Sequence, residues 1–219
     1  MNTTAVPMAD SRDMYVIHSA FRREFPAAVS LVRAVPEHDV AAATRVADHL
    51  QLIVSVLTHH HQGEDDLVWP KVLQRGATDA APLVAIMESQ HEELHTALDH
   101  VRACTEVWRR SAALPSREAL AAALEAMLAP MMEHLDTEEE HLLPLIDRHL
   151  TAQEWAEVGA KGMSKTPKSQ LPMIFGMVLR DGQAEHIASL RSVIPAPVWF
   201  VMSRLGPRAY DRHMRRLAH

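Results

Sequence analysis

The chain has 219 residues, a formal net charge of −6 and one cysteine, Cys104. This length suits one sizeable domain with an appendage, and a lone cysteine excludes both an internal disulfide and a thiolate metal cage. From residue 151 onward there are ten Lys or Arg and five Asp or Glu, which leaves about −11 for residues 1–150. An acidic body excludes nucleic acid as its partner. Because the N-terminus lacks the pattern of a signal peptide and no apolar run approaches a spanning length, we expect a cytoplasmic protein.

Four helical segments fill the first 150 residues. Alanine and leucine abound and glycine is scarce, and apolar residues recur at helical spacing in each segment. The second segment is predicted to run from about residue 40 to residue 73. Short connections between long helices imply antiparallel neighbours, so residues 10–150 are predicted to form an all-α, up-down-up-down four-helix bundle. The segments are separated by helix-breaking or capping residues, namely Pro36, Gly76, Thr78, Asp79, Pro115 and Ser116.

Residues 151–219 are predicted to form a short, basic, helical C-terminal extension. A lysine-rich loop is expected at 161–172, and the last helix, at 197–217, carries five arginines beside an apolar face. One interpretation is an amphipathic helix that touches anionic lipid or an acidic partner. The favoured interpretation is that the extension packs on the acidic bundle, where it covers one end of the site or makes a dimer contact. The oligomeric state is left open.

Histidine and glutamate interrupt the apolar stripes of the four segments in a repeated pattern. A four-residue gap between them returns to the same face of a helix about 6 Å along, which places a nitrogen and an oxygen ligand side by side. Two similar helix pairs are therefore predicted to face each other about a pseudo-two-fold axis. At an offset of 74 or 73 residues the matched pairs are His60 with His134, Glu64 with Glu138, Asp65 with Glu139, and His18 with His91.

Helical rise predicts that the polar residues of the four segments meet at one level, within a slab about 12 Å thick. Buried without partners they would cost several kcal/mol, whereas metal coordination would give each of them a partner. Imidazoles and carboxylates without thiolate suit iron, manganese or zinc, and this number of ligands would serve two ions. The candidate ligands are His18, His60, Glu64, His91, His95, His134 and Glu138.

Over roughly residues 10–150 the sequence resembles the hemerythrin family, including the bacterial HHE cation-binding domains. The resemblance rests on His18, on HHHQGEDDLVWP at 59–70, on His91 with His95, and on HLDTEEEHLLP at 134–144. It implies two iron ions in an oxo- or hydroxo-bridged, non-haem centre. In the ligand set that the resemblance implies, one iron is held by His91, His95 and His134, the other by His18 and His60, and both by the bridging carboxylates of Glu64 and Glu138.

The repeat also predicts that the two irons differ. His95 follows His91 by four residues, but the residue four after His18 is Arg22. The iron on the His18 side is therefore expected to be open to a small molecule. Two assignments stay open, because Glu139 can replace Glu138 as the second bridging carboxylate, and His95 is either a ligand or a neighbour of one. His59 and His61 are expected to be solvated or to lie outside the ligand set.

The expected function is to bind or sense O2, or else NO or peroxide, at the open iron. The leading alternative is an enzyme that removes hydrogen peroxide, as a catalase or peroxidase, for which nearby polar groups would supply protons. Further alternatives are iron storage, iron sensing, and a structural zinc or manganese site. The polar groups that favour the enzyme are Arg22, His59, His61 and His141.

Overall fold

A computed structural model describes residues 6–217, with the side chains of residues 77–79 left undescribed. Within that part of the chain the structure is helical, apart from turns and one isolated bridge between Met8 and Thr151. A 3₁₀ turn, Ser11–Asp13, precedes the first helix, and a π-helical segment, Glu138–Leu142, joins the fourth helix to the fifth. The helices are α1 Met14–Ala34, α2 Val40–Leu67, α3 Trp69–Trp108, α4 Leu114–Thr137, α5 Leu143–His149, α6 Ala152–Ser164, α7 Leu171–Leu179, α8 Ala184–Val193 and α9 Ala196–Leu217.

Several helices begin at residues whose side chains cap them. The Asp39 carboxylate accepts a hydrogen bond from the backbone of Ala42 at the start of α2. At the start of α6, Thr151 and Glu154 form a reciprocal capping box. Such caps satisfy amide groups that have no partner within the helix, and they fix where each helix starts.

The chain reverses direction inside α3. The rings of Trp69 and His91 lie 6.2 Å apart, whereas 22 residues of straight helix would separate them by about 33 Å. The part of the chain from Val40 to Gly76 is itself a helix of 37 residues, interrupted only at Val68. The reversal lies between Trp69 and His91, the stretch in which the sequence predicts a break at Gly76. The side chains of Thr78 and Asp79, the expected caps, lie outside the described residues.

Helix α1 runs antiparallel to the fourth predicted segment, because the end of α1 contacts the earlier part of that segment and the start of α1 lies near its later part. Arg33, near the end of α1, pairs with Glu125 in α4, and the backbone N–H of Ser11, before α1, donates to Asp147 in α5. On each of the four segments, the candidate residues that the structure brings together lie near the junction of two apolar clusters. One cluster contains Phe21, Phe25, Leu50, Leu57, Leu98 and Leu124, and the other contains Trp69, Val72, Met87, Leu142 and Ile146.

One helix in the described part of the chain is long and apolar enough to cross a membrane by length and composition. It is Val40–Gly76, with a mean hydropathy of 1.3 over its most apolar window. Half of that window is buried against other helices, as expected for the core helix of a helical domain. This feature is therefore weak evidence for a membrane span.

The C-terminal helices pack onto the first two helices through a second buried polar cluster. The Tyr210 hydroxyl of α9 donates to the Glu24 carboxylate of α1 at 2.5 Å, and a ring nitrogen of His213 lies 3.2 Å from one of His49. Glu24 and His49 are each 1% exposed. The helix α8 was not predicted, and α6 continues to Ser164, into the segment expected to be a loop.

Helices α7 and α9 cross at two glycines. A Cβ atom added at Gly176 would lie 2.0 Å from the carbonyl oxygen of Gly206, which is backbone and cannot rotate away. We expect Gly176→Ala to lower the free energy of unfolding by about 2–3 kcal/mol, or to detach α9, because the overpacked crossing must open. Denaturant titration and limited proteolysis would measure both effects. The matched control is Gly159→Ala, whose added Cβ meets nothing within 4 Å; equal stability of the two variants would contradict the prediction.

Candidate metal centre

Six buried or nearly buried side chains form two groups, each with potential ligand atoms all within 4.8 Å of one another. These side chains come from four segments of the chain, α1, α2, α3 and the α4–π segment. The first group is His61, His91 and His134, and the second is His18, His60 and Glu138.

Two carboxylates lie between the groups and reach both of them. The Oε1 atom of Glu64 is 3.1 Å from Nε2 of His60, and its Oε2 atom is 3.5 Å from Nε2 of His91. The Oε2 atom of Glu138 is 3.3 Å from Nε2 of His18 and 3.9 Å from Nε2 of His134. Both glutamates are fully buried.

The outer nitrogens of three histidines are held by acceptors. Nδ1 of His18 lies 2.9 Å from Glu139, and Nδ1 of His91 lies 2.7 Å from Asp65. Nδ1 of His134 lies 3.3 Å from the Gln90 side-chain oxygen. With Nδ1–H donating outward, the lone pair of each Nε2 faces the site, which is the orientation that metal-bound histidines show.

Three of the imidazoles, those of His60, His61 and His134, are held in their uncharged form. Burial is the main reason that the pKa values of His60 and His61 fall well below the usual range, and neighbouring histidines lower them further. Burial also lowers the pKa of His134 to about 4. A neutral imidazole is the form that binds a metal ion.

The two carboxyl groups differ in charge. Burial raises the pKa of Glu64 well above its usual value, and the neighbouring Glu138 raises it further. Burial alone would raise the pKa of Glu138 too, but the charge of His18, whose Nε2 atom lies 3.3 Å away, holds it well below its usual value. Without metal, these surroundings thus favour the charged forms of His18 and Glu138 and the uncharged form of Glu64.

Hydrogen bonds within the protein leave much of this cluster unsatisfied. Both carboxylate oxygens of Glu64 and of Glu138 are buried without a hydrogen-bond partner, as are the Nε2 atoms of His61, His91 and His134. Such atoms are rare in folded proteins because each loses its hydration without compensation. Nitrogen and oxygen donors that converge in this way fit a divalent transition metal.

A π-helical turn shapes the fourth ligand-bearing segment. Residues 138–142 are π-helical, a feature frequent at functional sites that was not predicted from the residue pattern. Glu138 faces the two groups, while Glu139 lies on the far side of His18 and binds its Nδ1 atom. The two adjacent glutamates thus contact the same histidine at different nitrogens.

Of the seven sequence-predicted ligands, the structure brings six together and leaves His95 outside. The His95 side chain is 58% exposed and lies 3.6 Å from Asp99, because α3 turns it one helical turn beyond His91 toward solvent. His61, expected to be solvated or to lie outside the ligand set, is grouped with His91 and His134 instead: it is 6% exposed and its ring stacks on that of His91 with centroids 4.2 Å apart. The repeat carried a signal for this, since position 61 matches Leu135, an apolar residue that is also buried.

Comparison with known proteins gives both a family and distant relatives. The iron–sulfur cluster repair proteins YtfE of Salmonella newport (strain SL254) and Salmonella agona (strain SL483) are each 25% identical to this chain over 146 residues. The match covers 64% of this chain, and the chain spans 66% of the length of those relatives, just under two thirds. No solved structure matches the chain. The model of the hemerythrin HHE cation binding domain matches residues 10–146, and the chain therefore belongs to the hemerythrin HHE cation-binding family.

Proposed function

We propose that the chain is a non-haem di-iron protein that binds O2, or else NO or peroxide, at an open position on the His18/His60 side. The observation that carries the proposal is that two separate histidine groups share Glu64 and Glu138, each within 3.9 Å of a histidine in both groups. The antiparallel contacts between α1 and the fourth predicted segment support an up-down-up-down four-helix bundle around the site.

The ligand set that we propose contains five histidines and two glutamates. His61, His91 and His134 would hold one iron, His18 and His60 the other, and Glu64 and Glu138 would contact both. When bound, such an iron pair supplies redox chemistry toward oxygen, nitric oxide or peroxide. The chain itself orients the imidazoles through Asp65 and Glu139 and keeps bulk water out with the apolar clusters on either side.

Pseudo-symmetry indicates where the open position lies. The offset of 74 that relates His60 to His134 relates His61 to Leu135, which is fully buried. The His61/His91/His134 group therefore has three imidazoles, while the related group has His18, His60 and an apolar side chain. We infer that Leu135 borders the vacant coordination position.

Leu135→His tests this inference, since it would place a third imidazole beside His18 and His60. We expect the variant to retain two irons per chain but to lose azide and NO binding, measured by metal analysis and visible titration of the iron-loaded protein. Leu135→Ala is the matched control and should retain both properties. Unchanged azide and NO affinity in Leu135→His would refute the assigned position, and wild-type protein without stoichiometric iron would refute the function.

Removal of hydrogen peroxide is a second candidate, favoured by a path for protons. Glu139 is 19% exposed and contacts both Nδ1 of His18 and the guanidinium of Arg22, which also pairs with Asp136. Its carboxylate can carry a proton between solvent and the His18 side of the site. Oxygen evolution from peroxide by the iron-loaded protein, slowed in Glu139→Gln, would support this candidate over reversible binding.

A role in iron–sulfur cluster repair is a further proposal, which rests on the function named for the Salmonella relatives. A cytoplasmic location would suit that role and a single unpaired cysteine. Transfer of iron from the loaded protein to a cluster-deficient acceptor, followed by recovery of the acceptor's visible spectrum, would test the repair role.

A further inference from the structure

A cavity of about 390 Å³ lies between the ligand-bearing helices and the C-terminal extension. Its walls come from the 3₁₀ turn before α1, from α1, α2, α6, α7 and α8, and from the residue that follows α8. Three of these helices, α6, α7 and α8, lie beyond residue 146, where the match to the family model ends. The cavity is thus a feature that the extension adds to the family domain. Apolar residues that line it include Ile17, Val56, Phe175, Val178, Leu190 and Ile194.

The wall formed by α6 stays open because its side chains are small. Gly159 and Gly162 line the cavity, and a Cβ atom added at either would meet nothing within 4 Å. Glycine inside a helix is unfavourable relative to alanine, and no close contact requires it at either position. Gly159 is exposed, so the cavity opens to solvent along α6. The two glycines keep this wall free of side chains that would narrow the cavity.

Size and chemistry define what the cavity can hold. Scaled from benzene in a cavity of about 150 Å³, this volume accommodates roughly 15 non-hydrogen atoms, far more than a diatomic gas. Asp13 is the one Asp, Glu, Lys or Arg among the residues known to line it, and that carboxylate accepts a hydrogen bond from the Trp155 indole at 2.9 Å. No lining lysine or arginine is therefore present to hold an acidic ligand.

We propose that this cavity binds an uncharged, largely apolar organic molecule. His60, a member of the His18/His60/Glu138 group, is one of its lining residues, and its side chain is 12% exposed while those of His18 and Glu138 are fully buried. A bound molecule would therefore lie against the side of the metal site that has fewer histidines. Binding itself needs only the cavity and does not depend on the proposed metal function.

Fluorescence titration with two probes that share a ring system tests the proposal. N-phenyl-1-naphthylamine is neutral, and 8-anilinonaphthalene-1-sulfonate adds one negative charge. We expect one-to-one, saturable binding of the neutral probe, and affinity for the sulfonate weaker by about tenfold or more because a buried anion would have no partner. The titration uses the full-length chain, both metal-free and iron-loaded.

Variants that fill the cavity from opposite walls locate the probe. Gly162→Leu on α6 and Val178→Trp on α7 should each weaken binding of the neutral probe by about tenfold or more, with helical circular dichroism and iron content unchanged. Gln153→Leu, on α6 but outside the lining, and Phe200→Ser, on the exposed face of α9, should bind as the wild type does.

Three results would overturn the proposal. These are absence of saturable binding of the neutral probe, unchanged affinity in both filled variants, and equal affinity for the two probes. Because iron content is measured in the same samples, failure of the cavity proposal is distinguishable from failure of the proposed metal function.

Discussion

Replacing Glu64 with leucine is expected to lower the iron content of the purified protein from two ions per chain to below one. The two oxygens of Glu64 face different histidine groups, at 3.1 Å from His60 and 3.5 Å from His91. One substitution therefore removes a ligand atom from both proposed metal positions while it keeps nearly the same volume in the core. Metal analysis after iron loading measures the effect, and Glu93→Leu, at an exposed position on α3, is the matched control.

The same substitution is expected to stabilise the metal-free protein. Without metal, Glu64 is buried with neither oxygen hydrogen-bonded, and leucine would remove that cost of about 1–3 kcal/mol. The proposed iron site exists only in the folded wild type, so added iron should raise the melting temperature of the wild type and leave that of Glu64→Leu nearly unchanged. The order of the two melting temperatures thus reverses with metal. A metal-free Glu64→Leu protein that melts below the metal-free wild type would contradict this account.

The internal repeat predicted much of the site because it includes both the candidate ligands and the carboxylates that bind the outer nitrogens of two of them. It matched His18 with His91 and Asp65 with Glu139, and in the structure each carboxylate binds the Nδ1 atom of the corresponding histidine, at 2.7 Å for Asp65 and 2.9 Å for Glu139. The role of these two carboxylates was not predicted. They lie one residue after Glu64 and Glu138, so the helix turns their side chains away from the site. Each contacts a histidine only because a neighbouring helix places that histidine beside it.

Features that depend on packing between helices could not be predicted from the spacing. His61 is about 100° around α2 from His60, and its burial is decided by how closely α3 and α4 approach it. The π-helical turn at Glu138 has no clear signature in the residues that form it. The cavity depends on the positions of α6, α7 and α8 relative to the first two helices, and α8 itself was not predicted.

The assignment of the third histidine is the point at which sequence and structure disagree most directly. From the sequence, His95 completes the set with His91 and His134 because it lies one helical turn along α3. In the structure its side chain is 58% exposed, and His61 from α2 lies with ring centroids 4.2 Å from His91 and 4.8 Å from His134. A pair of single alanine variants distinguishes the two assignments.

We expect His61→Ala to lose one of its two irons, and His95→Ala to keep both. Removing a group that only orients a ligand costs about 10–100-fold in metal affinity, so loss of a ligand at the His91/His134 position should weaken binding there by more than about 100-fold. Metal analysis after dialysis against a weak chelator measures the loss, with circular dichroism as the check on folding. The reverse pattern would mean that α3 rotates His95 inward and α2 rotates His61 outward when iron binds. Glu64, on the same helix as His61, would then turn away from His91, so the proposed bridging role of that carboxylate would fail together with the ligand assignment.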